Sequence, residues 1–411
     1  MLSRIAWRNI IVNKKRSGLT ILLNLFSAGL VVIYVAMMDG MYGKMISDGV
    51  EMYKGYLQVS GAGYQETPSY EHLLYGAGTV QKVIENAPEV ADWTARLESF
   101  ALYASDTTSV GGAIVGILPD REGPHSWLER SVEEGRWLRP DDGSVVYLGE
   151  ELAKKLEVTV GDTISYVSNA VDYSFTADNL EVVGTYKTGL TEFDASFAFV
   201  AKGYMDRMFM AEDVVSYFVV RPRDTDASAE TAQALRKALK GTETEVVTWR
   251  TLIEDMLLLI EVDRAGGIMM VGVFYVVILF VIMIYSMIAI FARTREIGIM
   301  RAVGTRPVEV MGMLMMEAFI LALIGSVVGG AIGGGLTLYW EHSPIYLSGY
   351  EEIIRQYAEL GMKFDPYMYT KFSWFGIITG SVTVFVMNLI AVFYPAWRVG
   401  RMRPVDAINY V

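Results

Sequence analysis

The sequence predicts an α-helical membrane protein with four transmembrane helices plus a large extracytoplasmic α+β domain, and three observations carry that reading. The chain has 411 residues and is 52% hydrophobic, too apolar for an ordinary soluble protein. Its apolar residues gather in four windows, 19–38, 265–292, 318–340 and 372–397, none of which contains Asp, Glu, Lys or Arg. A bilayer core takes roughly 20 apolar residues as a helix. Between the first two windows, short β-rich runs alternate with helical patterns over about 200 residues, enough for an independent core.

Residues 1–17 place Leu2, Ile5, Ala6 and Ile10 at helical spacing beside Trp7 and several basic residues. This suits a helix lying in the cytoplasmic interface, or equally a plain basic flank. The first span, 18–40, is longer than a signal-peptide apolar region and no small-x-small cleavage site follows it, so it reads as an uncleaved anchor. Met38, Met41, Tyr42 and Met45 then continue the helical spacing into a stalk over 41–53. Its partner is 251–264, "TLIEDMLLLIEVDR", where Met256, Leu257 and Ile260 lie opposite four acids. These faces either pack on each other or also meet a greasy substrate, since Met adapts to varied apolar shapes.

The domain itself, 54–250, contains strand patterns such as "GYLQVS", "GGAIVGIL", "DTISYVS" and "LEVVGTY", and helical patterns such as "GEELAKKLEV". The second span is 265–292 and the third is 311–340. In the third, Gly325, Gly329 and Gly333 recur every four residues, a spacing that lets helix backbones approach closely in lipid. A Tyr-rich loop, 341–371, includes a short helical pattern, "GYEEIIRQYAEL", and precedes the fourth span, 372–397, and a tail, 398–411.

Basic residues set the orientation. Arg4, Arg8, Lys14, Lys15 and Arg16 precede the first span, four arginines lie in 293–310, and Arg398, Arg401 and Arg403 follow the fourth span. The two termini and 293–310 are therefore expected in the cytoplasm, with 41–264 and 341–371 outside. The net charge of −12 resides mainly in 39–264, so it describes an exported domain rather than a basic partner, and nothing suggests nucleic acid.

Conventional chemistry is absent. There is no cysteine, no Walker A loop, no G-x-S-x-G and no H-E-x-x-H, and His72, His125 and His342 are far apart. The span interiors carry no charge, and Glu317 lies only at the cytoplasmic edge of the third. Ion-coupled transporters normally place charge inside the membrane, so neither that class nor an enzyme is expected, and no metal site is. What remains is the short charged excursion at 293–310. On a helical wheel Arg295, Gly298, Arg301, Ala302, Thr305 and Arg306 share one arc, and Ile297, Ile299, Met300 and Val303 share the other with Glu296. A basic face containing small residues suits anionic lipid or the grip of a cytoplasmic protein.

The segment "RTREIGIMRAVGTRPVEVMGMLMMEA" resembles the cytoplasmic coupling segment of ABC permeases in the MacB, LolC/LolE and FtsX superfamily. "YPAWRVGRMRPVDAI" and "IAWRNIIVNKKRSGLTIL" resemble their two ends. "VVYLGEELAKKLEVTVGDTISY" and "VVGTYKTGLTEFDASFAFV" are similar to the MacB-like periplasmic core domain, and "GYLQVSGAGY" is similar to the LolC/LolE branch. The resemblance implies that a separate cytoplasmic ABC ATPase grips Arg293, Arg295, Glu296, Gly298, Arg301, Ala302, Gly304 and Arg306. ATP and Mg would bind in that partner, with no cofactor in this chain. It further implies a cell-membrane permease that pairs with a second permease protomer, identical or similar. Met38, Met41, Tyr42, Met45, Met256, Leu257 and Ile260 would line its substrate cavity. The expected activity is extraction of lipoproteins from the outer face of the inner membrane toward a periplasmic carrier. The alternatives are efflux of peptides or small molecules by mechanotransmission, and FtsX-like signalling to a cell-wall hydrolase.

Overall fold

The computed structural model describes residues 2–349, 352 and 366–402. The helix expected within "GYEEIIRQYAEL" and the end of the tail, 403–411, fall outside the described residues. In chain order the helices are α1 (Leu2–Val12), α2 (Lys14–Gly49), α3 (Ala77–Asn86), α4 (Pro119–Glu122), α5 (Glu150–Leu156), α6 (Thr191–Asp194), α7 (Lys202–Met208), α8 (Ser228–Ala238), α9 (Trp249–Leu252), α10 (Glu254–Phe291), α11 (Thr294–Ala302), α12 (Pro307–His342) and α13 (Trp374–Gly400). The strands are β1 (Leu57–Gly61), β2 (Leu74–Tyr75), β3 (Val90–Ala104), β4 (Ser109–Ile117), β5 (Val132–Gly135), β6 (Val145–Gly149), β7 (Thr163–Asn169), β8 (Phe175–Tyr186), β9 (Phe197–Ala201), β10 (Val214–Val215), β11 (Tyr217–Pro222), β12 (Thr244–Thr248), β13 (Ile345–Tyr346) and β14 (Tyr367–Met368). The chain divides into a membrane unit (Met1–Lys44, Leu259–Leu347, Tyr367–Val411) and an α/β unit (Met45–Leu258, Ser348–Pro366).

In the membrane unit α2, α10, α12 and α13 are long and apolar enough to cross a bilayer. Glycine rows set the packing of α12. A Cβ placed on Gly325 would lie 2.5 Å from Asn24 Cβ, and one on Gly329 would press on the Leu25 backbone of α2. On another side, Gly334 faces Ile377 of α13 at 2.5 Å. Helix backbones can approach this closely only where no side chain intervenes. Within the bundle the Asn388 amide donates to Asn24 at 2.8 Å, pairing two polar groups that lipid could not satisfy.

The α/β unit holds a mixed sheet in the order β12-β1-β11-β3-β4-β9-β6-β8-β5. β7 pairs with both β3 and β8, so the pairings β3-β4-β9-β6-β8-β7 close into a circuit. β7 alternates exposed and buried along its length, the period-2 signature of a strand with one covered face. Its inward Ile164 and Tyr166 join Leu97, Tyr103, Ile114 and Leu180, and α5 and α7 add Leu152, Leu156 and Met205 to the same core. A second core forms where β1, β3 and β11 meet Val80 and Ile84 of α3 and Leu235 of α8. Arg96 is fully buried, with its guanidinium 2.5 Å from Glu122 and 2.6 Å from the Tyr53 carbonyl. Tyr53 belongs to a π-helical turn, Val50–Lys54, that follows α2.

Candidate coupling site

Local sequence makes the segment after α10 a helical turn between two longer helices. α11 closes at Gly304, whose φ of 105° is a left-handed value that glycine adopts without strain. The Thr305 N–H donates to the Met300 carbonyl at 3.1 Å and the Gly304 N–H to the Arg301 carbonyl at 3.1 Å, the paired bonds of a Schellman ending. α12 then starts with Pro307 in its first turn, and the Glu309 carboxylate accepts the Arg306 N–H at 2.9 Å. Proline and acid both suit a helix start.

The face of α11 that packs differs from the one its polarity suggests. Thr294, Ile297 and Gly298 are buried and Arg301 is half-buried, a row at i, i+3, i+4 and i+7 that shares one helix face. Ile297 joins a cluster with Ile290, Val310, Val392, Ala396 and Val399. Gly298 was expected on the outward arc and lies inside, while Ile299 and Val303 are 52% and 85% exposed. Neighbouring helices, not polarity, select the buried row: Ile297 packs into their apolar cluster, while Ile299 and Val303 fall on the side that meets none of it. The exposed side therefore carries Arg295, Glu296, Ile299, Ala302 and Val303, with Gly304 and Arg306 beyond it.

Behind α11 sits an ion cluster in which Arg293 and Glu296, both expected in the site, are joined by Arg16 and Glu317, which were not. Glu317 of α12 accepts a hydrogen bond from Arg16, at the start of α2, and another from Arg293 Nη1 at 3.2 Å. Arg293 Nε also reaches Glu296 at 3.0 Å. The side chains of Glu317 and Arg293 are 7% and 11% exposed, and that of Arg16 is 20% exposed. Tyr285 of α10 donates its hydroxyl to the Arg16 carbonyl at 3.1 Å. Arg16, Tyr285, Arg293 and Glu317, with Ser286 and Asn388, border a small cavity of about 50 Å³. One nearly buried carboxylate between two guanidiniums is compensated only if both partners stay in place. The cluster thus ties the root of α11 to the first turn of α2. Nothing local marks this: Arg16 and Glu317 are 301 positions apart.

The stalk residues separate in the same way. Tyr42 is buried and donates to Asp263 at 2.7 Å, and Arg264 meets Asp39 at 3.0 Å, so these side chains join α2 to α10. A Cβ on Gly267 would meet the Met38 side chain. Met41, Met256 and Leu257 are partly buried, and Ile260 is buried. Tyr42 and Ile260 therefore present no open apolar face. Exposed apolar side chains in the stalk include Met45, Leu258 and Leu259, the last two at 54% and 71%, and Val262. The stretch Leu257–Ile260 was expected to line the cavity as a whole, because an unbroken run of leucines does not show which side is covered; its ends are partly or fully covered and its middle is exposed.

Residues 17–238, more than half of the chain, match the model of the MacB-like periplasmic core domain, and 268–404 match the FtsX-like permease C-terminal model. The chain belongs to the MacB/FtsX superfamily of ABC transporter permeases. This permease is 24% identical to the lipoprotein-releasing system transmembrane protein LolC of Xylella fastidiosa (strain 9a5c), covering 92% of this chain and 89% of the relative. It is 23% identical to the uncharacterized ABC transporter permease YknZ of Bacillus subtilis (strain 168), over 99% of this chain and 98% of that one. A macrolide export ATP-binding/permease protein MacB of Nitrobacter winogradskyi is 26% identical over 69% of this chain, which spans 41% of that protein. The permease is accordingly a multi-pass membrane protein of the ABC class.

Proposed function

We propose that this permease couples ATP hydrolysis in a separate ATPase subunit to the extraction of lipidated proteins from the outer face of the membrane, working as a dimer with a second permease chain. The termini and α11 lie in the cytoplasm in this reading, and the α/β domain lies outside. The observation that carries the coupling step is the exposed side of α11. Ile299, Ala302 and Val303 form an apolar centre and Arg295 and Glu296 a charged rim, the composition of a protein-docking patch. The buried side is fastened through Arg293 and Glu317 to Arg16, so force received at α11 has a path to α2. The substrate class rests on similarity to LolC along most of both chains.

The test is purification of the native complex from membranes, with identification of co-eluting proteins and lipid. An ATPase and a lipidated protein are expected. Val303→Asp and Ala302→Trp should abolish ATPase co-elution while the variants still insert and fold. Overfilling a groove costs roughly 1–3 kcal/mol or more. Retention of the ATPase by both variants would remove α11 from the coupling role. A small-molecule cargo in place of a lipidated protein would move the permease to efflux.

A further inference from the structure

Beyond the coupling site, the α/β unit holds a trough of about 890 Å³ bordered by β3, β7, the start of β8 and the segment 64–73, within the size range of ligand sites. Register explains its walls. Glu98, Phe100 and Leu102 alternate along β3 with the core residues Leu97 and Ala101, so they share the opposite face. Leu102 pairs with Val167 of β7, and Phe175 of β8 pairs with Asn169 of β7. Phe100, Tyr173 and Phe175 are 69%, 63% and 86% exposed, unusual for large apolar side chains standing side by side. Phe100 leans over Gly111, where a Cβ would lie 2.7 Å from its ring.

The polar part of the trough has one sign. Glu71 and Glu98 line it, His72 is beside them, and no Lys or Arg does among the described residues. Glu98 is half-buried. The Tyr53 hydroxyl donates to its Oε1 at 2.6 Å and the Tyr217 hydroxyl donates to the same oxygen. Burial, reinforced by the Glu98 charge, holds both phenols well above their ordinary range, so they remain donors. Among the described residues, Oε2 accepts no hydrogen bond and the carboxylate has no cationic partner within ion-pair distance. Two phenols satisfy Oε1 while Oε2 stays available to a cation, and aromatic faces beside it attract cations in the same place.

We infer that this trough is a binding site for a small amphiphilic organic cation, its ammonium on Glu98 and its apolar body against Phe100, Leu102 and Phe175. The inference stands on the α/β domain and does not depend on the coupling role of α11.

The test is calorimetric titration of the full-length permease in nanodiscs at pH 7, with empty nanodiscs subtracted. Three probes share one apolar body: 4-phenylbutylamine, 4-phenylbutanol and 4-phenylbutyrate. The amine should bind at least tenfold more tightly than the alcohol, and the acid should show no binding. Glu98→Gln should lower amine affinity to the level of the alcohol and leave the alcohol unchanged. Tyr173→Ser and Phe175→Ser, both at exposed positions, should weaken amine and alcohol alike, which keeps the test valid if Glu98→Gln fails to fold. Binding indifferent to charge, binding undiminished in Glu98→Gln, or no binding at all overturns the inference. So does a change of oligomeric state in Phe175→Ser, because the face would then be an interface between two copies of this chain.

Discussion

Replacing Glu317 by Gln would leave Arg16 and Arg293, both bordering a cavity of about 50 Å³, without their shared carboxylate. Removing one partner of a buried ion pair costs about 3–5 kcal/mol, since the remaining charge is stranded. Arg16 keeps a fifth of its side chain exposed, so water recovers part of that loss and the expected cost is near the lower end, about 3 kcal/mol. At 1.4 kcal/mol per factor of ten, this is roughly a hundredfold in the folding equilibrium. Glu296→Gln provides the internal comparison. It also loses a bond to Arg293, but the Glu296 side chain is 65% exposed, and such pairs contribute below about 1 kcal/mol. The assay is equilibrium unfolding of the purified permease in mixed micelles, with sodium dodecyl sulfate as denaturant. Adding Arg16→Gln to Glu317→Gln should recover part of the loss, because it removes a stranded charge. If Glu317→Gln costs no more than Glu296→Gln, the cluster is not a buried, compensated unit and the proposed path from α11 to α2 loses its physical basis.

Gly329→Ala should destabilise the helix bundle by about 1–3 kcal/mol, because its Cβ has no room against the Leu25 backbone. Gly335→Ala meets nothing within 4 Å and should be neutral in the same unfolding assay; equal effects would refute the close-packing argument. Burial lowers the His125 pKa to about 4, despite nearby Glu122 and Asp92. A depressed histidine favours the neutral form when folded, so stability is full above about pH 6.5 and falls as pH drops toward 4. Thermal midpoints measured between pH 7 and pH 5 should decline less in His125→Gln, and an unchanged decline would assign it to other groups. A cysteine introduced at exposed Ser144, in a chain with none of its own, should react with impermeant reagent from the outer side alone. Labelling only from the cytoplasmic side would invert the proposed orientation.

The four membrane helices were legible in the sequence because hydropathy is local: a span without charge is stable in lipid whatever its neighbours are. The turn at Gly304–Pro307 was equally open to reading, since capping depends on residues three or four apart. The glycine spacing of α12 announced close packing, but the identity of each partner came from the fold, with Gly329 on α2 and Gly334 on α13. Tertiary structure alone decided which side of α11 faces in. A wheel sorts residues by polarity, whereas Gly298 is inside and Val303 outside because the buried row is set by the cluster that Ile297 joins. It also decided that Glu317 belongs with Arg16 and Arg293, a pairing across most of the chain that no local pattern encodes. The trough has the same origin. Both faces of β3 carry apolar residues, with Leu97 and Ala101 on one and Phe100 and Leu102 on the other, so its sequence shows no polar–apolar alternation and no strand was expected there. Which face received a cover was settled only when β7 closed the circuit and α5 and α7 filled one side of it.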